Sequence, residues 1–366
     1  MVSPPRLYVA AAGKHVGKTT STLGLITALR RQGLHTGYCK PVGQQYVPYH
    51  GQKVDKDALL FAQHLDFELI PSLHSPVILG PGTVCAHMED DADFDFPGQI
   101  QLAAQTLEKS YDQVVYEGTG HPGVGSVVGV SNAQVARLLG AGVVLVLEAG
   151  IGKALDMLTL NRALFAAEGV PVLGVIFNKT RPDKLEKVSS FLRPRLRQLG
   201  IPCLGILPYE EQLSLPLVQT LSAQVKAEVN PSGVPLDRPV RQIIPAEHLL
   251  HMNAEQMQDV MVIGSGDSLE QGLLHMQYVC TQARSGCPLA AVMLPQGGSL
   301  STEAQRYLRS HQIPWLTSAM DSYALFVKLH QTEVKIKAQA PWKIQAAVEL
   351  FAKHVDLRPL HESIIV

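Results

Sequence analysis

The run Ala12-Gly13-Lys14-His15-Val16-Gly17-Lys18-Thr19-Thr20 holds the residue types that grip a phosphate chain. Gly13 and Gly17 let the backbone curl around anionic oxygens, Lys18 can neutralise β and γ phosphates, and the Thr19 hydroxyl can ligate Mg²⁺. The whole loop, Gly13, Lys14, His15, Val16, Gly17, Lys18, Thr19 and Thr20, is therefore expected to bind ATP with Mg²⁺. It departs from the G-x-x-x-x-G-K-[ST] pattern because Ala12 stands where the first glycine belongs and Gly13 comes one residue late. A chance Gly-Lys-Thr turn is the bland alternative. It would not account for the strand before the loop, the second glycine and the threonine pair together.

Two further charges fall at strand ends. Val114-Val115-Tyr116-Glu117-Gly118-Thr119-Gly120 is an apolar strand closing on a carboxylate and then on small residues. Open α/β sheets bind ligands at that edge, so Glu117 is read as a Mg²⁺-side acid, the alternative being a solvated glutamate that simply ends a strand. Gly37-Tyr38-Cys39-Lys40-Pro41-Val42 brings Lys40 to the same edge, and two cations there suit a transferring phosphoryl group. Lys18, Lys40 and Glu117 are the expected catalytic residues.

The elements that must position these groups read as a βαβ series. Expected strands are Leu7–Ala12, Thr36–Lys40, Gln113–Tyr116, Val143–Leu147, Val172–Phe177 and Cys203–Leu207. Between them Lys18–Arg31, Asp57–His64, Gln99–Ser110, Asn132–Leu139, Ala154–Ala167 and Lys184–Leu199 carry helical spacing. The fold class is α/β, a P-loop NTPase-type parallel sheet with helices on both faces, followed by a smaller α/β domain. The turn-rich stretch Val229-Asn230-Pro231-Ser232-Gly233-Val234-Pro235 suggests the boundary, giving domains over 1–225 and 226–366. In the second, strands are expected at Asp259–Ile263, Ala290–Leu294 and Trp315–Thr317, helices at Leu269–Ala283 and Thr302–His311, and a terminal helix at Lys343–His354. No internal repeat is visible.

Composition narrows the function. Of 366 residues 46% are hydrophobic and 17% charged, as in a globular α/β protein, and that length favours more than one core. A net charge of -1 gives no field for nucleic acid or an anionic membrane, so neither is an expected partner. The five cysteines form no C-x-x-C pair, which points to reduced thiols in the cytoplasm. Met1-Val2-Ser3-Pro4-Pro5-Arg6 leads into an apolar run too short for a signal sequence, and no span approaches the ~18 apolar residues of a membrane helix.

With the Val-Gly-Lys-Thr loop, the Lys-Pro-Val strand end, the Glu-Gly-x-Gly strand end and Asn178 after a fifth strand, residues 6–210 resemble dethiobiotin synthetase and its relatives. The resemblance implies that Lys18 and Lys40 contact phosphates, that Thr19, Asp57 and Glu117 surround Mg²⁺, and that Asn178 reads the adenine edge. Taken alone, Asp57 is an acid at a helix start and Asn178 a turn residue. Lys14-His15 replaces the family's Thr-Glu pair, and Glu148-Ala149-Gly150-Ile151-Gly152-Lys153 also differs, so the substrate side departs from the synthetase. A twofold dimer is implied by the resemblance alone.

Leu236-Asp237-Arg238-Pro239-Val240 and its sequel, from about Leu204 to Asp356, resemble the DRTGG domain that follows such a P-loop domain in long bacterial phosphate acetyltransferases. Gln296-Gly297-Gly298 stands for its Thr-Gly-Gly turn and Met320-Asp321-Ser322 for its Asp-Thr step. The chain ends about where the acetyltransferase catalytic domain would begin, so acetyl transfer is not expected. Neither Cys280 nor Cys287 has the context of a glutaminase nucleophile. Gly264-Ser265-Gly266-Asp267 reads as an anion cradle or as a plain strand-to-helix connection.

The first function expected is a Mg²⁺-ATP-binding regulatory or nucleotide-sensing protein. The alternative is an ATP-dependent ligase or carboxylase that phosphorylates a carboxylate or carbamate. Expected partners are ATP or ADP, a small carboxylate or amine substrate, and a second copy of the chain or a regulated protein. A third reading is purely structural binding of ADP or ATP.

Overall fold

The computed structural model describes residues 6–89 and 94–360. The segment Met1–Pro5, read above for a leader, lies outside them. The chain divides into two compact units: the described residues of Met1–Glu210 with those of Ile336–Val366, and Glu211–Lys335.

The first unit is built on a six-stranded sheet. β1 (Leu7–Ala11) and β2 (Thr36–Cys39) belong to the order Cys203–Pro208, Val172–Thr180, Gly142–Glu148, β1, Gln113–Glu117, β2, and all neighbours are parallel. Every residue of β1, β2 and Gln113–Glu117 is buried, which requires cover on both faces. The strand order reverses at β1. Its C-terminal end therefore opens a crevice between Gln113–Glu117 and Gly142–Glu148, where Val9 faces Glu117 and Ala11 faces Val146 in register.

Helix α1 (Lys18–Arg31) matches the expected span. Arg30 and Arg31 sit in its last turn, where cations favour the helix dipole. α2 (Lys56–Leu65) begins one residue earlier than expected, because Asp55 rather than Asp57 caps it: the Asp55 carboxylate accepts from the Asp57 N–H at 2.9 Å. A hairpin, Tyr46–Tyr49 with Gln52–Asp55, precedes α2 and was not expected.

The domain boundary is a correction. The division falls after Glu210, not at 225, and the C-terminal helix Pro341–His354 belongs to the first unit rather than to the second domain. Phe351 explains why. Its ring lies where a Cβ on Gly24, in the middle of α1, would come within 2.1 Å, so the glycine opens a seat for it. A backbone bridge from Gly205 to Val355 and an Asp356 N–H donating to Leu204 O at 2.8 Å fasten the end of this segment to the sheet edge. This is side-chain fit between distant segments, which no local pattern announces.

The second unit is a five-stranded sheet in the order Glu228–Asn230, Trp315–Thr317, Leu289–Leu294, Val260–Ile263, Gln242–Pro245, with Glu228–Asn230 antiparallel. Its core gathers Val260, Val262, Leu273, Met276, Val292 and Leu308 beneath the helix Gly266–Gln282. The strands Glu228–Asn230, which takes in the first two residues of the turn-rich stretch, and Gln242–Pro245, beyond it, were not expected. Neither was the helix Ser322–His330, which Asp321 caps by accepting from the Ala324 N–H.

Candidate active site

The phosphate loop follows β1 and feeds α1 through Gly17, whose φ of 104° is a left-handed conformation natural to glycine. No side chain caps α1 and no acid lies in its first turn, so its N-terminal amides and positive dipole end are left for an external anion. The helix Gly266–Gln282 differs, since Asp267 already supplies an acid to its first turn. The Gln296-Gly297 turn is likewise committed, its amides donating to Met320 O and Ser318 O at 3.0 Å each. The Gln296-Gly297 turn is thereby a structural connection.

Lys18 Nζ donates to Gly120 O at 2.8 Å and to Gly13 O at 3.4 Å, which holds the ammonium over the loop. Val16 is buried, whereas Lys14 and His15 are exposed at the loop tip and His15 takes a positive φ of 58°. Thr20 is buried at the start of α1. Asn178, at the end of the strand Val172–Thr180, donates from Nδ2 to Val16 O at 2.9 Å, and a Cβ on Gly17 would fall within 1.9 Å of that nitrogen. The residue expected to read a base edge thus ties the loop to the sheet: its amide is engaged beneath the loop and is 5% exposed.

Thr19 Oγ1 donates to Glu117 Oε1 at 3.4 Å. The same oxygen accepts from Lys40 Nζ at 3.3 Å, and Lys40 also bonds Asp57 Oδ2 and lies 3.8 Å from Asp55 Oδ1. Lys40 is 4% exposed and Glu117 fully buried. Burial by itself would lower the pKa of the Lys40 ammonium; Asp57, Glu117 and Asp55 reverse this and hold it well above the ordinary lysine value. Burial also raises the Glu117 carboxyl above the usual range, against the opposing charges of Lys40 and Lys18. Thr19, Lys40, Asp57 and Glu117, expected from scattered stretches, are thus brought together.

Sequence reading missed two residues. Asp55 is the third carboxylate at Lys40 and accepts from the Gln44 and Gln45 amides at 3.2 and 3.3 Å; its signal was an aspartate two residues before Asp57 at a helix start. Asn132, following the Ser131 cap of a capping box, accepts from Tyr8 Oη at 2.8 Å and from Thr119 N at 2.9 Å, and donates to Thr119 O and His121 O at 2.7 and 2.6 Å. It holds the turn that presents Gly120 O to Lys18.

The donor set suits a magnesium ion bound along with phosphates. Such an ion takes few protein ligands, typically one hydroxyl and one or two carboxylates. Glu117 Oε2 is a buried oxygen with no hydrogen-bond partner among the described residues, and Thr19 Oγ1 lies beside the same carboxylate. Among the described residues no group of three or more His, Cys, Asp and Glu side chains is arranged to hold a metal by itself.

Residues 5–216 match the AAA domain family (AAA_26). The chain is 26% identical over 369 residues to a phosphate acetyltransferase of Nitrosomonas europaea, covering 95% of this chain and 50% of that protein. It is 27% identical over 209 residues to the ATP-dependent dethiobiotin synthetase BioD of Xanthomonas campestris pv. campestris, covering 56% of this chain and 91% of that one. A cobyric acid synthase of Pelotomaculum thermopropionicum is 28% identical over 236 residues, covering 57% and 44%. The chain spans about half the length of the phosphate acetyltransferases it matches. Among the described residues no helix is long and apolar enough to cross a membrane.

Proposed function

Because this chain belongs to the AAA domain family through residues 5–216, we propose that its first unit binds ATP or ADP with Mg²⁺ and that the protein is a nucleotide-responsive regulator. The observation that carries the binding is the Lys18 ammonium held over the loop by Gly13 O and Gly120 O beside an α1 N-terminus that has no cap and no acid of its own. Lys18 and the loop amides neutralise phosphate charge, while Thr19, Asp57 and Glu117 would hold Mg²⁺, which screens the β and γ oxygens when bound. Asn178 and Asn132 fix the loop and the Gly118–His121 turn from below.

The likeness to phosphate acetyltransferase covers 95% of this chain and so runs over both units, which supports reading Glu211–Lys335 as a DRTGG-type module that responds to the nucleotide unit. We read the protein as a cytoplasmic homodimer. Five free thiols support the reducing compartment, and the dimer rests on the synthetase likeness.

Titration calorimetry with Mg²⁺-ATP tests the binding. Lys18→Ala should weaken the affinity about a hundredfold, or ~2.7 kcal/mol; unchanged affinity would refute the site. A second reading, an ATP-dependent ligase acting on a small carboxylate or carbamate, is favoured by one observation: Lys40 and Glu117 meet next to Thr19, and a lysine there suits the charge of a transferring phosphoryl group. ATP turnover that starts only when a small dicarboxylic or diamino acid is added would replace the sensor with the ligase.

A further inference from the structure

We propose that Lys40 is a built-in counter-ion: its ammonium occupies the place a divalent cation takes between Thr19, Asp57 and Glu117, so the acid cluster admits metal only together with phosphates that draw Lys40 away. This deepens the nucleotide-site reading and rests on it for what displaces the lysine.

Three observations carry it. Thr19 Oγ1 and Lys40 Nζ converge on one oxygen, Glu117 Oε1, at 3.4 and 3.3 Å, and Asp57 Oδ2 bonds the same ammonium, so the oxygens a hard cation would use already surround a positive charge. Three carboxylates, Asp55, Asp57 and Glu117, face the Lys40 ammonium, and Glu117 Oε2 is buried without a hydrogen-bond partner among the described residues. Lys40 is a compact charge on a flexible four-carbon stem at the C-terminal end of β2, so it can turn toward a phosphate without any movement of the sheet. With the lysine in place, a lone divalent ion meets a site already filled by like charge.

The test uses full-length protein freed of nucleotide and metal, titrated with Mn²⁺, whose free-ion paramagnetic resonance signal disappears on binding. Wild type is expected to leave the ion free. Lys40→Met should retain it at least about tenfold more tightly, because the competing charge is gone, and adding Glu117→Gln should abolish the gain. Retention by wild type as tight as that of the variant overturns the inference, and so does a folded Lys40→Met that retains no Mn²⁺. A variant that unfolds in chelator and regains its circular dichroism in Mn²⁺ supports it, since the metal then replaces the ammonium; one that stays unfolded in Mn²⁺ overturns it. No nucleotide is present, so the result is readable whether or not wild type binds ATP.

Discussion

Lys40 and Lys343 are both buried lysines of the first unit, and their surroundings push them in opposite directions. At Lys40 three carboxylates outweigh the cost of burial, and the ammonium is held well above its ordinary pKa. At Lys343, on the helix Pro341–His354, burial dominates and nearby Lys337 adds to it, so the pKa falls to about 8 although the Trp342 ring lies 5.4 Å from Nζ. A ring face attracts a cation less than a carboxylate does. Burial of a lysine therefore says little by itself. The charge that meets it decides whether the residue is a fixed cation of a site or a strained one of the scaffold.

The largest effect that could break this contrast is at Lys40. Lys40→Met strands buried carboxylates and should cost about 3–5 kcal/mol in metal-free urea denaturation at neutral pH; a cost near zero would mean that the acids do not depend on the ammonium.

Lys343→Met should have the opposite sign, stabilising the fold by about 1–2 kcal/mol in the same measurement, because burial and nearby Lys337 disfavour the charged form that the substitution removes. The pH dependence sharpens it. Near 10.5 the Lys343 amine loses its proton in the unfolded chain as well as in the folded one, and no cost remains. As the pH falls, the unfolded chain takes up the proton first, so wild-type stability is lost down through the folded value of about 8. The advantage of Lys343→Met should accordingly be greatest below that value and vanish on approach to 10.5. An advantage that does not change with pH would place the effect in packing.

The smallest effect concerns the residue that carries no charge. Asn178→Ala removes the bond to Val16 O and should cost about 1 kcal/mol of stability. Loosening the loop should also weaken Mg²⁺-ATP binding by roughly fivefold, or ~1 kcal/mol. Lost affinity with an unchanged urea midpoint would point back to direct contact with the base.

Much of the fold was legible. Buried parallel strands run as apolar stretches, which is why Leu7–Ala11, Gln113–Glu117 and Gly142–Glu148 lie where they were expected. The Gly17 turn marked the start of α1, and helical spacing gave its extent. The hairpin Tyr46–Tyr49 with Gln52–Asp55 escaped because Pro48 interrupts its pattern and its first strand is only half-buried. The placement of Pro341–His354 escaped for another reason: its apolar face can be read from sequence, but not which unit it covers.

The sequence by itself determined the phosphate loop, since a glycine turn, a lysine and two threonines between strand and helix form a local motif with local geometry. It also brought Lys40 and Glu117 to one sheet edge, because both end parallel strands. Only the tertiary structure decided that Lys40 is encircled by Asp55, Asp57 and Glu117, that Asn178 serves the loop, and that Phe351 seats on Gly24. Those contacts join residues far apart in the chain. Their energies depend on distance and burial, which local periodicity and turn chemistry do not encode.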